Sequence, residues 1–233
     1  MPNHVTSLLV LKGSEEQVKK VVERFSTHYE ETPSIAFDGT QIFRSEDGKI
    51  GYLNTDTNVF EVRDGGTFVG VVEGFKPMME EAWTRFPDFK KIIAPPDNLF
   101  EGDLGREEEE MCKREGIPTW YNWNISNWGT KWNAYSCSKI SDGEYCFDTA
   151  WSAVPQLILT MSEEFPEVTF EYTYADEDTA YNCGEYIFEG GEVISENVPN
   201  GGSKEAYDIY FKINPDYKED YILVGGNYEY KED

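Results

Sequence analysis

What this chain is short of narrows the field before anything else does. Its 233 residues hold two histidines, His4 and His28, and neither stands beside a recognisable nucleophile. No G-x-S-x-G, Walker, Rossmann or H-E-x-x-H pattern occurs. The expectation is a protein that is not an enzyme. Four cysteines, Cys112, Cys137, Cys146 and Cys183, form no C-x-x-C pair. Free, mostly buried thiols in a reducing cytosol are the plainest reading, since a zinc site has only the two histidines to draw on. No apolar run approaches the roughly 18 residues of a membrane span. The opening Met1-Pro2-Asn3-His4 leads into a strand pattern, not into the basic and apolar blocks of a secretory signal. The expected location is cytoplasmic.

Positive charge is the scarcest commodity. Lys and Arg number 20 against 45 Asp and Glu, a formal net charge of −25. Such a chain repels a polyanion, which argues against direct binding to nucleic-acid phosphates. The deficit is uneven. Residues 1–100 carry 16 acids and 11 bases, whereas residues 101–233 carry 29 and 9. After Lys139 the next basic side chain is Lys204. The 64 residues between them hold 14 acids and no Lys, Arg or His. A solvated surface normally mixes both signs, because like charges repel. Two readings compete: general solubility, or a surface that meets a basic partner.

Aromatic residues are plentiful, with 14 Phe, 15 Tyr and 6 Trp, so a packed core is expected and disorder is not. Val5–Leu11 reads as a buried strand. Ser14 and Gln17 make a capping-box pattern ahead of the stripe Val18, Val21, Val22 and Phe25, which predicts a helix over 14–26. Residues 33–75 read as a β meander, with turns at Asp47-Gly48 and Asp64-Gly65-Gly66. Met78–Phe86 suggests a short helix, Phe89–Ile93 a strand and Glu107–Arg114 a helix. Glu144–Trp151 predicts a strand, and Ser152 a cap for a helix over 153–165. Val168–Tyr174 and a hairpin across Gly190-Gly191 follow. Ala206–Ile213 fits a strand or a short helix, and a last hairpin turns at Gly225-Gly226. The sum is one α+β domain over 1–233, with helices on one face of a mostly antiparallel sheet. Residues 33–75 are a β insertion and 197–233 a C-terminal extension. The other sheet face is expected to be wet, with the acids of the 171–196 strands projecting from it.

Four of the six tryptophans fall within Trp120–Trp132. The spacing predicts a helix that ends at Gly129. Core packing, a base-stacking platform and a pocket or partner hot spot are the competing uses of these rings. The run Trp120-Tyr121-x-Trp123, then Asn127-Trp128-Gly129-Thr130-Lys131-Trp132-Asn133, then Phe147-Asp148-Thr149-Ala150-Trp151 resembles the YubB ferredoxin-like domain family. Its members are small proteins carried by plasmids, phages and prophages. The resemblance covers roughly 1–26 and 88–195; residues 33–75 and the tail after 196 depart from it. It implies a ferredoxin-like α+β sandwich and a bacterial host. It implies no established activity and transfers no functional residues.

These features lead to an expected binder that inhibits a basic, nucleic-acid-binding host defence protein, such as a CRISPR nuclease or a restriction enzyme. Carboxylates on alternate strand residues stand about 6.6 Å apart. Side by side on several strands, they approximate an array like the one charge per about 1.7 Å of B-DNA. The residues expected to meet the partner are Glu171, Asp176, Glu177, Asp178, Glu185, Glu189, Glu192 and Glu196. A second expectation is a small-ligand binder, for instance of a nucleotide signal, with Trp120, Trp123, Trp128, Lys131 and Trp132 as its pocket. A phage accessory protein with no inhibitory role is the third. Asp176-Glu177-Asp178 lacks the spacing of an EF-hand loop, so no metal and no cofactor are expected.

Overall fold

The computed structural model describes residues 3–63 and 65–231. Met1 and Pro2 of the opening motif, and Asp64 of one expected turn, lie outside the described residues. The chain divides into two compact units, one of residues 1–27 and 85–233, the other His28–Thr84.

The first unit is built on six antiparallel strands, numbered here in chain order. They are β1 (His4–Lys12), β2 (Tyr135–Ser141), β3 (Glu144–Ala150), β4 (Thr169–Asp176), β5 (Cys183–Glu189) and β6 (Glu192–Asn197). Their order across the sheet is β2-β3-β1-β4-β5-β6. β1 is central, and its Ser7 sits opposite Phe147 of β3 and Tyr174 of β4. Val5, Ser7, Leu9 and Leu11 alternate into the core.

Helix α1 (Glu15–Phe25) starts at the expected capping box. The Gln17 side chain accepts the Ser14 N–H at 2.7 Å, and Ser14 Oγ accepts the Gln17 N–H. Helix α5 (Pro155–Glu164) begins later than the sequence suggests. Ser152 does not cap it; Val154 holds that position and donates its N–H to the Tyr172 hydroxyl at 3.1 Å. Both helices bury apolar stripes, Val21 and Phe25 from one and Leu157, Ile158 and Met161 from the other. The stripes pack against Leu9, Phe147, Phe170 and Phe188.

Between α1 and β2 the unit adds α2 (Phe89–Ile92), α3 (Arg106–Glu115) and α4 (Trp120–Trp128). Phe89–Ile93 is therefore a helical turn, not a strand. Asp88 decides this, because its carboxylate accepts the Lys90 N–H at 3.0 Å and caps the turn. The expected helix over 78–86 is absent as well. Met79–Glu80 and Trp83–Arg85 are short strands, with Met79 and Trp83 exposed. α4 runs as its spacing predicts, from a Thr119 cap to Gly129 in the left-handed region (φ 76°).

The C-terminal extension holds α6 (Lys204–Ile213) and a hairpin of β7 (Tyr221–Val224) with β8 (Asn227–Tyr230). α6 resolves the ambiguity of 206–213. Ser203 caps it, and Ala206, Ile209 and Tyr210 form a stripe packed on Ala175 and Cys183. These two residues face away from α1 and α5. The second sheet face is thus covered at that end and is not wholly wet.

The second unit is a five-stranded antiparallel sheet in the order Gly66–Val69, Val59–Val62, Ile50–Asn54, Gln41–Ser45, Phe75–Pro77. Its small core is aromatic: Phe60 meets Phe43 and Phe75 edge to face at 5.5 and 5.2 Å. Among the described residues no helix is long and apolar enough to cross a membrane.

Candidate functional site

The acidic strands carry the first candidate surface. Directly opposed residues share a face. Glu171 lies opposite Ile187, Glu185 opposite Thr173, and Glu189 opposite Glu192, which puts these four acids on the second face. Two of them have cations. Lys12 pairs with Glu171, and Lys212 of α6 pairs with Glu185. Glu189 accepts the Thr169 hydroxyl at 2.7 Å. The register between β5 and β6 slips after Ile187. Glu196 therefore lies opposite Tyr186, on the α1–α5 side, and accepts its hydroxyl at 3.0 Å.

The acids of the β4–β5 loop divide differently. Asp176 is buried, at 6% exposure. It accepts Asn182 Nδ2 at 2.9 Å, the Asp178 N–H at 3.1 Å and Asn3 Nδ2 at 3.3 Å, so its carboxylate closes the loop. Glu177 accepts the His4 N–H and stands 3.9 Å from His4 Nε2. Glu177, Asp178, Glu189, Glu192 and Glu196 are exposed and have no lysine or arginine partner among the described residues. No group of three or more His, Cys, Asp or Glu suited to a metal ion occurs among the described residues.

The tryptophan block divides too. Trp128 is buried and donates its indole N–H to the Ile93 carbonyl at 3.0 Å, with Trp123 edge-on at 5.3 Å. Trp120, Trp128 and Trp132 line a cavity of about 340 Å³ together with Leu99, Asn124, Asn133 and the Lys90–Glu101 pair. Trp123 and Lys131 are not in its wall. Three of its polar side chains are already engaged. Trp120 donates to the Gly102 carbonyl at 3.1 Å, Asn124 to the Lys131 carbonyl at 2.9 Å, and Asn133 to Asp88 at 2.7 Å. Lys131 turns elsewhere. Its ammonium lies 4.5 Å from the Trp132 ring centre, 5.0 Å from Trp151 and 6.0 Å from Tyr121. Such contacts stabilise a lysine by about 0.5–1 kcal/mol at exposed sites.

One end of the main sheet gathers residues that sequence reasoning passed over. His4 Nδ1 is 2.7 Å from the Tyr135 hydroxyl, which donates to the Thr149 carbonyl at 3.2 Å. Burial, with Asp148 and Glu177 nearby, pushes this phenol up to about 12. Four non-glycine residues flank the same end in the left-handed region: Ser136, Trp151, Ala180 and Asn182, with φ from 44° to 68°. The pairings of His4 with Ala150, Val5 with Asp176 and Tyr135 with Asp148 bring these segments together, and the two made by β1 have no local signal in the sequence.

Comparison with known proteins agrees with this architecture. Residues 131–215 match the family model described as the ferredoxin-like domain in Api92-like protein. The matched span takes in β2 to β6, α5 and α6, and leaves β1 and α1 outside it. The fold is a ferredoxin-like α+β fold. No curated protein and no solved structure matches the chain significantly.

Proposed function

We propose that this chain is a non-catalytic binding protein that engages a basic, nucleic-acid-binding protein through the acidic outer strands β5 and β6 and the loop leading to them. The supporting observation is the set Glu177, Asp178, Glu189, Glu192 and Glu196. These carboxylates are exposed and lack lysine or arginine partners among the described residues, in a 64-residue stretch without a cation. Such an array attracts a groove built for phosphates and competes with its nucleic acid. The similarity of the Trp-Gly-Thr-Lys-Trp region to the plasmid- and phage-borne YubB ferredoxin-like family gives this reading its context. In that context the partner is a host defence protein of the bacterial cytoplasm, a CRISPR nuclease or a restriction enzyme.

The test is capture from host lysate by tagged protein at low and high salt. Raising salt from 0.1 to 1 M shortens the screening length from about 10 to about 3 Å, so a basic partner is expected to bind first and release later. Changing the five exposed acids to lysine should abolish capture. Undiminished capture by that variant, with its fold intact, would sink the proposal.

The 340 Å³ cavity favours a second reading, a small aromatic ligand. Its engaged polar lining makes this the weaker of the two. A thermal-shift panel of nucleotides separates them: a clear rise in melting temperature supports the pocket, and none across the panel removes it.

A further inference from the structure

We infer that β6 is a docking edge, onto which an extended basic segment of the partner adds as a seventh strand of the main sheet. This rests on the binding reading above and gives it a geometry. β6 closes the sheet order and among the described residues pairs only with β5, and all six of its residues are exposed. An edge strand offers a row of unpaired backbone N–H and C=O groups, and an added strand draws its affinity from them.

Natural edges are usually blunted by lysine, proline or bulges. The opposite edge of this sheet follows that rule, since β2 carries Lys139 and two register shifts. β6 has one shift and neither lysine nor proline within Glu192–Asn197. It exposes Val193 at 48% and Ile194 at 54%, with Val198 just beyond at 50%. What guards it is negative charge, from Glu192 and Glu196 with Glu189 of β5 close by. That charge selects the occupant. A second copy of this chain would bring glutamates against glutamates, and like charges across a strand pair destabilise it. A strand bearing lysine or arginine meets opposite charge instead.

The register shift adds a specification. It turns Glu192 to the second face and Glu196 to the α1–α5 face. Side chains along a strand alternate between faces, so a complementary strand needs cations at odd spacing, as in Lys-x-x-Lys.

The probe is a blocked ten-residue peptide containing two Lys-Val-Val-Lys blocks, titrated into the full chain and followed by backbone amide NMR. Docking should shift the amides of 192–197 and slow their hydrogen exchange. A peptide with prolines in place of the central valines keeps its charge but cannot pair, and is expected to bind at least about tenfold more weakly. Glu192→Lys/Glu196→Lys should weaken the first peptide by a similar factor. Equal affinity for the two peptides, shifts confined to other residues, or dimerisation of the chain through β6 in sedimentation would each overturn the inference. Ile194→Pro, at the residue the register skips, separates it from the broader proposal. A partner captured equally by this variant, with melting temperature unchanged, refutes edge docking and leaves acidic-surface binding standing. If Ile194→Pro fails to fold, the peptide pair and the double glutamate variant decide alone.

Discussion

Tyr172 ties three elements of the main unit to one hydroxyl. Its oxygen is 2.9 Å from Ser7 Oγ in β1 and accepts the Val154 N–H at the head of α5, inside a fully buried site. Tyr172→Phe keeps the ring and strands the Val154 N–H without an acceptor. A loss of about 1–3 kcal/mol is expected, read from denaturant midpoints. The same burial raises the phenol to about 12, as it does for Tyr135, and raises the Cys137 and Cys183 thiols to about 11. In the unfolded chain these groups titrate near their ordinary values, about 10 for tyrosine and about 8.5 for cysteine. The unfolded chain therefore gives up protons first as pH rises. The stability these groups contribute is whole below about pH 8 and is lost as pH climbs towards 11 and 12. Melting temperatures measured from pH 8 to 11.5 should fall steadily, and less steeply at the top of the range in Tyr172→Phe. A flat profile would contradict the burial of these groups.

At the scale of the element, α6 is where local sequence and tertiary context pull apart. Its residues Tyr207, Ile209, Tyr210, Phe211 and Ile213 are aromatic or β-branched and suit a strand as well as a helix. The deciding contact is the shallow site over Ala175 and Cys183, which a helix stripe fills. Ile209 is 1% exposed there. Ile209→Ala is expected to cost about 2–5 kcal/mol in denaturant unfolding, whereas loss from an exposed strand would cost little. Hairpins and α1 were legible in advance because their signals are local. Gly190, Gly191, Gly225 and Gly226 all adopt positive φ, and Ser14 and Gln17 satisfy each other across one turn. The 78–86 segment was not, because Met79, Ala82 and Trp83 are exposed while Phe86 is buried, so its apolar residues form no common stripe. The candidate surface was legible as composition only. Lys12 and Lys212 reach Glu171 and Glu185 from 159 and 27 residues away, and the slip after Ile187 moves Glu196 to the other face.

For the whole molecule, the net charge of −25 sets two opposite salt responses. Self-repulsion of the acids opposes the compact state, and salt screens it. Raising sodium chloride from 0.01 to 0.15 M shortens the screening length from about 30 to about 8 Å. The melting temperature of the free protein should therefore rise by a few degrees. Capture of a basic partner should fall over the same range. If both quantities move together, the interface is not electrostatic.

The sequence alone determined the α+β class, the cation-free stretch, the capped helix at the start, and the hairpins. The last two depend on residues within a few positions of one another, and the first two on composition and the order of patterns along the chain. Tertiary structure alone decided which acids are neutralised, which are buried and which face outward. It also decided that the tryptophans divide between core and cavity, and that His4 meets Tyr135. Those outcomes depend on strand register and on helix placement over a sheet face. One slipped residue between β5 and β6 redirects every side chain beyond it, and no local pattern encodes that slip.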